Sequence, residues 1–594
     1  MSFSVRKSVV RIVKSETFWL IAILAVGIFL RFYHFSDWLH FELDQARDAL
    51  VVREAVLGGP GELTLLGMKA GGTSLRLGPG FYYLEYLSAL LFGITPQGMA
   101  MVIPILSVAS VFLFHLFARR VFRVPLALVL TALFAVSEFM VSYGRFAWNP
   151  NPLPFFSLLG LYTLLRAVSS DERYPGRWFV LSAFAIGFAT HLHFIAFLVL
   201  PTVAVLFLLV RRPRFSWKSW SAAVFAFFLF YIPVALNEME TSGANSKAFI
   251  AALTEKSNKE ARSPVEKVIR NGVEHGLGYL VVTTGIEDGG FPDVELLRDG
   301  TVRLDCDTKC QHGKAVGMTA MAVTGLSVLS LGFLWIRVRD RQRSDVFLLT
   351  GIWFVISFIV LTPLSYGFAP RFFLVQAPIP FLLLGFLIES VRIALPRGTK
   401  IARFATIALL ILVGLNLSGL ATRFDEMARS STEAVDTPAD RILKEKIRVP
   451  LTLQADIVSY LKGRSDESGY PIYMFSEPEH RRALKYLLER AGVRNDVLGF
   501  SGIYREGIYV LIIRSQSDLE EGIRKYLEKY DVIDRRPFGT LTMVEFVPKP
   551  EYVQAERQVF EVYGKKDNTT TLPRYTWREW WEGRNDDDND TEEQ

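Results

Sequence analysis

His40-Phe41-Glu42-Leu43-Asp44-Gln45-Ala46-Arg47-Asp48 places four charged side chains within nine residues, directly after the apolar run Phe18–Tyr33. Charge at a membrane boundary costs little where water reaches it, so by itself this stretch reads as an interfacial loop. Which side of a bilayer it occupies decides the topology of the rest, because further polar outliers fall on the same side once the chain is laid across a membrane.

The 594 residues are 51% hydrophobic and 13% aromatic, with 46 phenylalanines. The mean hydropathy is +0.26. That average is too apolar for a soluble chain of this length and too polar for one wholly in lipid, so a polytopic membrane part and a soluble part are expected. A formal charge of +6 is small for the size and gives no reason to expect a nucleic-acid partner. Apolar runs that meet or approach the roughly 20 residues of a span number about eleven. They are Phe18–Tyr33, Ala100–Phe117, Pro125–Val141, Pro152–Val168, Trp178–Thr190, Phe194–Val210, Trp217–Leu236, Ala315–Ile336, Val346–Leu364, Phe372–Ala394 and Ile401–Ala421. The basic N-terminus (Arg6, Lys7, Arg11, Lys14) has no small-residue cleavage site after the first run, which reads as a retained helix.

Cytoplasmic loops carry the Lys/Arg excess. With the N-terminus inside, Arg119-Arg120 and Arg123 fall inside only if one crossing separates them from Asp44, so Phe81–Phe92 is expected to lie in the outer interface rather than cross. Arg173/Arg177, Arg211 to Arg214, Arg337 to Arg343 and Arg392 to Lys400 then alternate inside as well. The outside receives the first loop 34–80, the turn 142–151, the His191-Leu192-His193 corner, the long loop 237–314, the turn 365–371 and everything after Ala421. The expected architecture is a polytopic α-helical membrane protein, N-terminus in and C-terminus out. A membrane domain over 1–421 is followed by a small extracytoplasmic α/β domain over 422–565 and an acidic, disordered tail over 566–594. In the α/β part Tyr470–Phe475 and Gly507–Ile513 read as strands, and His480–Ala491 and Leu519–Tyr530 as helices.

Taken as residues, Asp44 is either a solvated loop acid paired with Arg47 or Arg53, or a general base. Glu138, within an apolar run and about one turn from its outer end, reads as facing a cavity. His191 and His193 stand at a spacing that shares no helical face, so they either sit at the interface or line a cavity. Cys306 and Cys310 suit a local disulfide outside the cytoplasm, and a zinc site there lacks a fourth ligand. Asn568-Thr569-Thr570 fits a glycosylation acceptor pattern.

The order of motifs resembles the GT-C glycosyltransferases, in particular bacterial members of family 39 related to protein O-mannosyltransferases and to the aminoarabinose transferase of lipid A. The residues that carry the resemblance are Asp44-Gln45-Ala46-Arg47-Asp48-Ala49, Gly78-Pro79-Gly80-Phe81-Tyr82-Tyr83, Trp148-Asn149-Pro150-Asn151-Pro152 and Arg371-Phe372-Phe373, within roughly residues 15–395. The resemblance implies transfer of a sugar from a polyprenyl-phosphate donor to a lipid, glycan or protein acceptor at the outer face of the plasma (inner) membrane. Asp44 would take the acceptor proton. Arg371 would hold the donor phosphate, with Arg145, Lys69 and Arg76 as further cations. Arg145, where a span emerges, reads equally as a side chain snorkelling to the headgroups. Glu42, Asp48, Tyr82, Tyr83, Glu138, Trp148, Asn149 and His193 complete the expected substrate-binding set, and Asn149 and Asn151 also read as turn residues. Many relatives carry Asp-Glu where this chain has Asp44-Gln45, which removes a second carboxylate; no cofactor is expected and a bound divalent metal is not favoured. A flippase of lipid-linked saccharides is the second reading, disfavoured by the lack of paired halves. A membrane scaffold is the third, and it leaves Asp44 without a role.

Overall fold

The computed structural model describes residues 15–583, apart from 72, 256–261, 297–300, 438–439, 441, 497–501, 555 and 557–573. The basic N-terminal cluster, Asn568 and the terminal acidic run lie outside the described residues.

Each of the eleven apolar runs falls on a helix. Besides the short helices Pro96–Ala100 and Ala244–Glu255, the helices in chain order are α1 (Glu16–Phe32), α2 (Leu43–Gly58), α3 (Gly80–Phe92), α4 (Val102–Arg119), α5 (Val124–Val136), α6 (Glu138–Tyr143), α7 (Leu153–Val168), α8 (Pro175–Thr190), α9 (Phe194–Arg211), α10 (Trp217–Phe228), α11 (Ile232–Glu240), α12 (Pro264–Thr284), α13 (Thr308–Arg337), α14 (Arg341–Leu361), α15 (Pro378–Ala394) and α16 (Gly398–Arg429). Six helical stretches among the described residues are long and apolar enough to cross a membrane, or seven if the bent pair Pro370–Gln376 and Pro378–Ala394 is one span. Disulfide Cys306–Cys310 closes the start of α13.

Three runs depart from a continuous helix. Pro125–Val141 breaks at Ser137, whose hydroxyl donates to the Val282 carbonyl at 2.6 Å and also caps α6. A lone serine in an apolar run gives no warning of this, because its partner lies on α12. Glu138 therefore opens a separate helix, with its own N–H donating to Asn416 Oδ1 at 2.9 Å. Trp217–Leu236 is interrupted by the 3-10 turn Leu229–Tyr231. Phe372–Ala394 starts instead as the 3-10 turn Pro370–Gln376, bent by 63° from α15. Pro378, at the junction, lacks the N–H that would bond back to the preceding turn, while Ala377 itself stays in the right-handed helical region.

Helix α3 has 13 residues, about two-thirds of a span at 1.5 Å per residue. It buries Phe81, Tyr82, Glu85, Ser88 and Ala89, and leaves Leu87, Leu90, Leu91 and Phe92 46–68% exposed. One buried face and one bare apolar face are what a helix lying flat on a bilayer needs.

After α16 the chain forms α17 (Leu451–Ser468), β3 (Ile472–Ser476), α18 (Pro478–Arg490), β4 (Asn495–Asp496), β5 (Ile508–Arg514), α19 (Leu519–Arg524), β6 (Tyr530–Phe538) and β7 (Leu541–Pro548). The hairpin β1 (Asp293–Leu296) and β2 (Val302–Asp305) lies in the long loop. The five-stranded sheet runs β4-β3-β5-β7-β6, with β3 parallel to β4 and β5, and β7 antiparallel to both β5 and β6. Its central strands are buried on both faces, so they read as apolar runs rather than alternating ones. The sheet unit docks on the first loop. Thr452 N–H donates to Asp37 O at 3.1 Å, Gln454 Nε2 to Phe41 O at 2.9 Å, and Phe41 meets Tyr486 edge to face.

Residues 574–583, within the stretch expected to be a disordered tail, return to the first loop. Leu65 N–H donates to Tyr575 O at 2.8 Å and Trp577 N–H to Leu63 O at 3.1 Å, ahead of the short helix α20 (Trp577–Glu582).

Candidate active site

Helix α2 begins within His40–Asp48 because Glu42 and Gln45 form a reciprocal capping box, with Gln45 Oε1 accepting from the Glu42 N–H at 3.1 Å. This places Asp44 in the first turn, 40% exposed. Arg47 lies one turn on and forks between two carboxylates, reaching Asp44 Oδ1 at 2.9 Å and Asp48 Oδ1 at 2.7 Å. Asp48 is fully buried, beside Tyr82 and Glu85 of α3. Burial and the neighbouring Asp48 charge push Glu85 well above the usual carboxylate range. Burial raises Asp48 as well, against the pull of Arg47. Asp44 is thus held by a guanidinium that is itself fixed from below.

The other Asp44 oxygen, Oδ2, accepts from Trp148 Nε1 at 3.1 Å. The indole is seated by its own turn. Asn149 Nδ2 donates to Leu192 O at 2.5 Å, Asn151 Nδ2 donates to Phe146 O at 2.8 Å, and Tyr143 and Phe146 stack beside the ring. On the indole lies Arg371, its guanidinium carbon 5.1 Å from the ring centre and 5.4 Å from that of Phe372. No carboxylate pairs with Arg371 among the described residues. Phe372 in turn meets His193 edge to face at 5.8 Å.

Asp44, Asp48, Trp148 and Arg371 therefore come together at the start of α2, with Tyr82 beside Asp48 and His193 one ring further out, behind Phe372. Other expected residues are engaged elsewhere. Arg145 donates to Leu30 O at 2.6 Å and Tyr33 O at 2.7 Å, capping α1. Glu138 packs against Gly285 and Gly419, facing Arg423 rather than Asp44. The Tyr83 hydroxyl donates to Thr64 O and accepts from Trp577 Nε1 at 2.8 Å. Asn149 ties two turns together. Lys69 bridges to Arg76 through the backbone. The Gly78 turn lies on His191, where a Cβ would come within 2.2 Å of the ring; burial pushes that imidazole down to about 3, so it is neutral.

Arg76 is more engaged than its sequence suggested. It is buried and its Nη1 donates to Gly67 O at 3.1 Å, its Nε and Nη2 have no hydrogen-bond partner among the described residues, and desolvation lowers it to about 10. Tyr82, Arg47 and Arg574 lie within electrostatic reach. Nothing in the sequence near Tyr82 pointed to Arg574, which arrives on the returning C-terminal segment.

A second charged group joins the loop to the sheet unit. His40 Nδ1 meets Glu445 Oε1 at 2.8 Å and Glu42 at 3.8 Å, while Glu445 is also gripped by Arg423 and Arg448. His40, Glu42 and Glu445 are close enough to share an ion, as are Glu477, Glu479 and His480. Arginines already occupy Glu445, Glu477 and Glu479, since Arg423 and Arg448 take Glu445 and Arg514 takes Glu477 at 2.9 Å and Glu479 at 3.3 Å; of the described cations Glu42 faces His40 alone.

Residues 77–236 match the family described as dolichyl-phosphate-mannose-protein mannosyltransferase. No curated protein matches the chain. Among solved structures, ArnT from Cupriavidus metallidurans bound to undecaprenyl phosphate superposes with a TM-score of 0.53 at 14% identity, over 89% of this chain and 98% of that one. Its apo form gives 0.50 with the same coverage. The archaeal oligosaccharyltransferase AglB from Archaeoglobus fulgidus gives 0.46 at 13% identity, over 91% of this chain and 75% of that one. The fold is that of the GT-C membrane glycosyltransferases, and residues 77–236 carry the sequence pattern of one of their families.

Proposed function

We propose that the chain transfers a sugar from a polyprenyl-phosphate carrier to an acceptor hydroxyl or amine on the outer face of a membrane. The observation that carries this reading is the Trp148 indole, which donates to Asp44 on its edge and supports Arg371 on its face. A carboxylate able to take a proton and a cation with no carboxylate partner thus share one surface. In the step, the acceptor oxygen or nitrogen attacks the anomeric carbon while the bond from that carbon to the phosphate oxygen breaks. The acceptor proton passes to Asp44, and Arg371 neutralises the charge left on the departing lipid phosphate. Arg76, buried beside Tyr82 with no carboxylate partner among the described residues, is a second cation for that phosphate. Arg47 and Asp48 keep Asp44 oriented.

A lipid phosphate reaches such a site laterally, from within the bilayer, which suits a first loop whose helix α3 bares leucines on one side. Similarity of fold to an ArnT structure holding undecaprenyl phosphate supports the same donor class. Inversion at the anomeric carbon is the stereochemistry that the resemblance implies.

The test is transfer from a radiolabelled polyprenyl-phosphate sugar by the purified chain, against Asp44→Asn and Arg371→Ala. Loss of transfer in both, with the fold intact, is expected. Equal rates in Asp44→Asn would remove the base assignment. If no donor is consumed while labelled lipid crosses reconstituted vesicles, the chain is a flippase.

A further inference from the structure

The sheet unit holds a cleft of about 660 Å³, away from the Asp44 surface and used by no step above. That is within the roughly 300–1,000 Å³ of small-ligand sites. Its position follows from topology. Strands β3 and β5 are parallel neighbours, yet β3 passes through α18 to β4 on one side and β5 through α19 to β6 on the other. Between strands whose crossovers leave in opposite directions a crevice opens at the carboxyl ends, the place where open α/β sheets bind ligands. Here it is bounded by Phe475 and Ser476 from β3, Glu477 at the start of α18, Ile513 from β5 and Asp518 to Tyr526 around α19.

The lining narrows the ligand class. Phe475 and Tyr526, ring centres 4.4 Å apart, offer an aromatic wall, continued by Met474 and Leu511. Around the rim stand Glu477, Asp518 and Glu521 against Arg481 and Lys525. Arg481 Nη2 donates to Ser476 O at 3.1 Å, while its buried Nε has no hydrogen-bond partner among the described residues. A nucleotide or other polyanion would meet three carboxylates, and a cation would meet two bases and an Arg514 already paired to Glu477. A neutral molecule with an apolar face and many hydroxyls meets neither objection. Ring faces take its C–H side, while carboxylates and guanidinium, acceptors and donors in alternation, take its hydroxyls.

We propose that this cleft binds a saccharide and, on the transferase reading, holds the glycan part of the acceptor. Helix α18, which starts at the cleft, packs against α2, whose first turn bears Asp44. Arg53 of α2 faces Glu489 of α18 at 3.8 Å, and Glu479 in the first turn of α18 lies within electrostatic reach of Glu42. An acceptor chain anchored in the cleft would then be presented along this seam.

The experiment uses the full chain in nanodiscs free of glycoside detergent. Mannotriose, chitotriose and arabinotriose are the probes, followed by saturation-transfer NMR and calorimetry, with inorganic pyrophosphate as the anionic control. At least one trisaccharide is expected to bind, and to bind about tenfold more weakly in Tyr526→Ala. The exposed substitutions Glu521→Ala and Lys525→Ala, which leave the sheet intact, are expected to weaken it too. Asp44→Asn is expected to bind as wild type does, so this arm is independent of catalysis. If transfer is established, Tyr526→Ala raises the acceptor KM and leaves kcat unchanged. Absence of binding by all three sugars, binding unaltered in the three cleft variants, or displacement of the sugar by pyrophosphate overturns the proposal.

Discussion

At the scale of single residues the site rests on one shared fork. Arg47 spans Asp44 and Asp48, and Trp148 spans Asp44 and Arg371, so each group is fixed by the next. Asp44→Asn keeps the size of the side chain and removes the base; kcat for transfer should fall by about 10²–10⁴-fold, with little change in donor KM. Asp48→Ala acts differently. It leaves the buried side of Arg47 uncompensated, at a cost of about 3–5 kcal/mol, so both thermal stability and kcat should drop, and Asp48→Asn should recover part of each. Unchanged melting in Asp48→Ala would mean that Arg47 is held by something else. Spacing made the Asp44–Arg47 pair legible, since i and i+3 share a helical face, but it could not tell a salt bridge from a base. That choice came from resemblance. The Trp148 contact was out of reach, because 104 residues separate it from Asp44.

At the scale of elements, two joints control the first loop. The first is the His40–Glu42–Glu445 group between the start of α2 and the sheet unit. Burial alone would lower His40, but Glu42 and Glu445 outweigh it and hold it at about 9, against an ordinary 6.5. Its contribution is full below 6.5 and is lost as pH rises to 9, about 3 kcal/mol at most. Burial lifts Glu42 from 4.5 to about 7, so stability also falls as pH rises between those values. Hydrogen-exchange protection factors at residues 37–45, each measured rate divided by the intrinsic rate at the same pH, should fall from pH 6 to pH 9, and Glu42→Gln should flatten the part below 7. Protection that is constant or rises over this range would refute the assignment. The second joint is the returning segment 574–583, which bonds Leu63, Leu65 and Tyr83 and pairs Arg578 with Glu62 at 2.9 Å. Ending the chain at residue 573 should expose 58–66 to limited proteolysis and raise the donor KM, because Arg574 leaves the surroundings of Arg76 and Tyr82. Neither joint was legible: both unite segments hundreds of residues apart through polar side chains that carry no periodic signal.

At the scale of the whole molecule, the apolar runs carried the helices, while Lys/Arg placement carries only the expected orientation. Lipid selects length and hydropathy directly, and those are properties of a segment rather than of its partners. The same reasoning failed at Ser137 and at Ala377–Pro378, where a helix ends for the sake of a neighbour or a proline. It is Pro370–Gln376, bent away from α15, that carries Arg371 to the Trp148 ring. Orientation has its own test, which the structure improves. Both natural cysteines are joined in one disulfide, so a single introduced thiol reports alone. Phe122, in the basic turn after α4, is buried against Phe386 and would label poorly; Arg123 beside it is exposed. Arg123→Cys should resist an impermeant maleimide added to intact cells and react after permeabilisation, whereas Lys462→Cys on exposed α17 should react at once. Labelling of position 123 from outside would put a second crossing between Asp44 and Arg119. Helix α3 would have to provide it, taking Glu85 through the hydrocarbon, and the surface shared by Asp44, Trp148 and Arg371 could no longer face an acceptor outside.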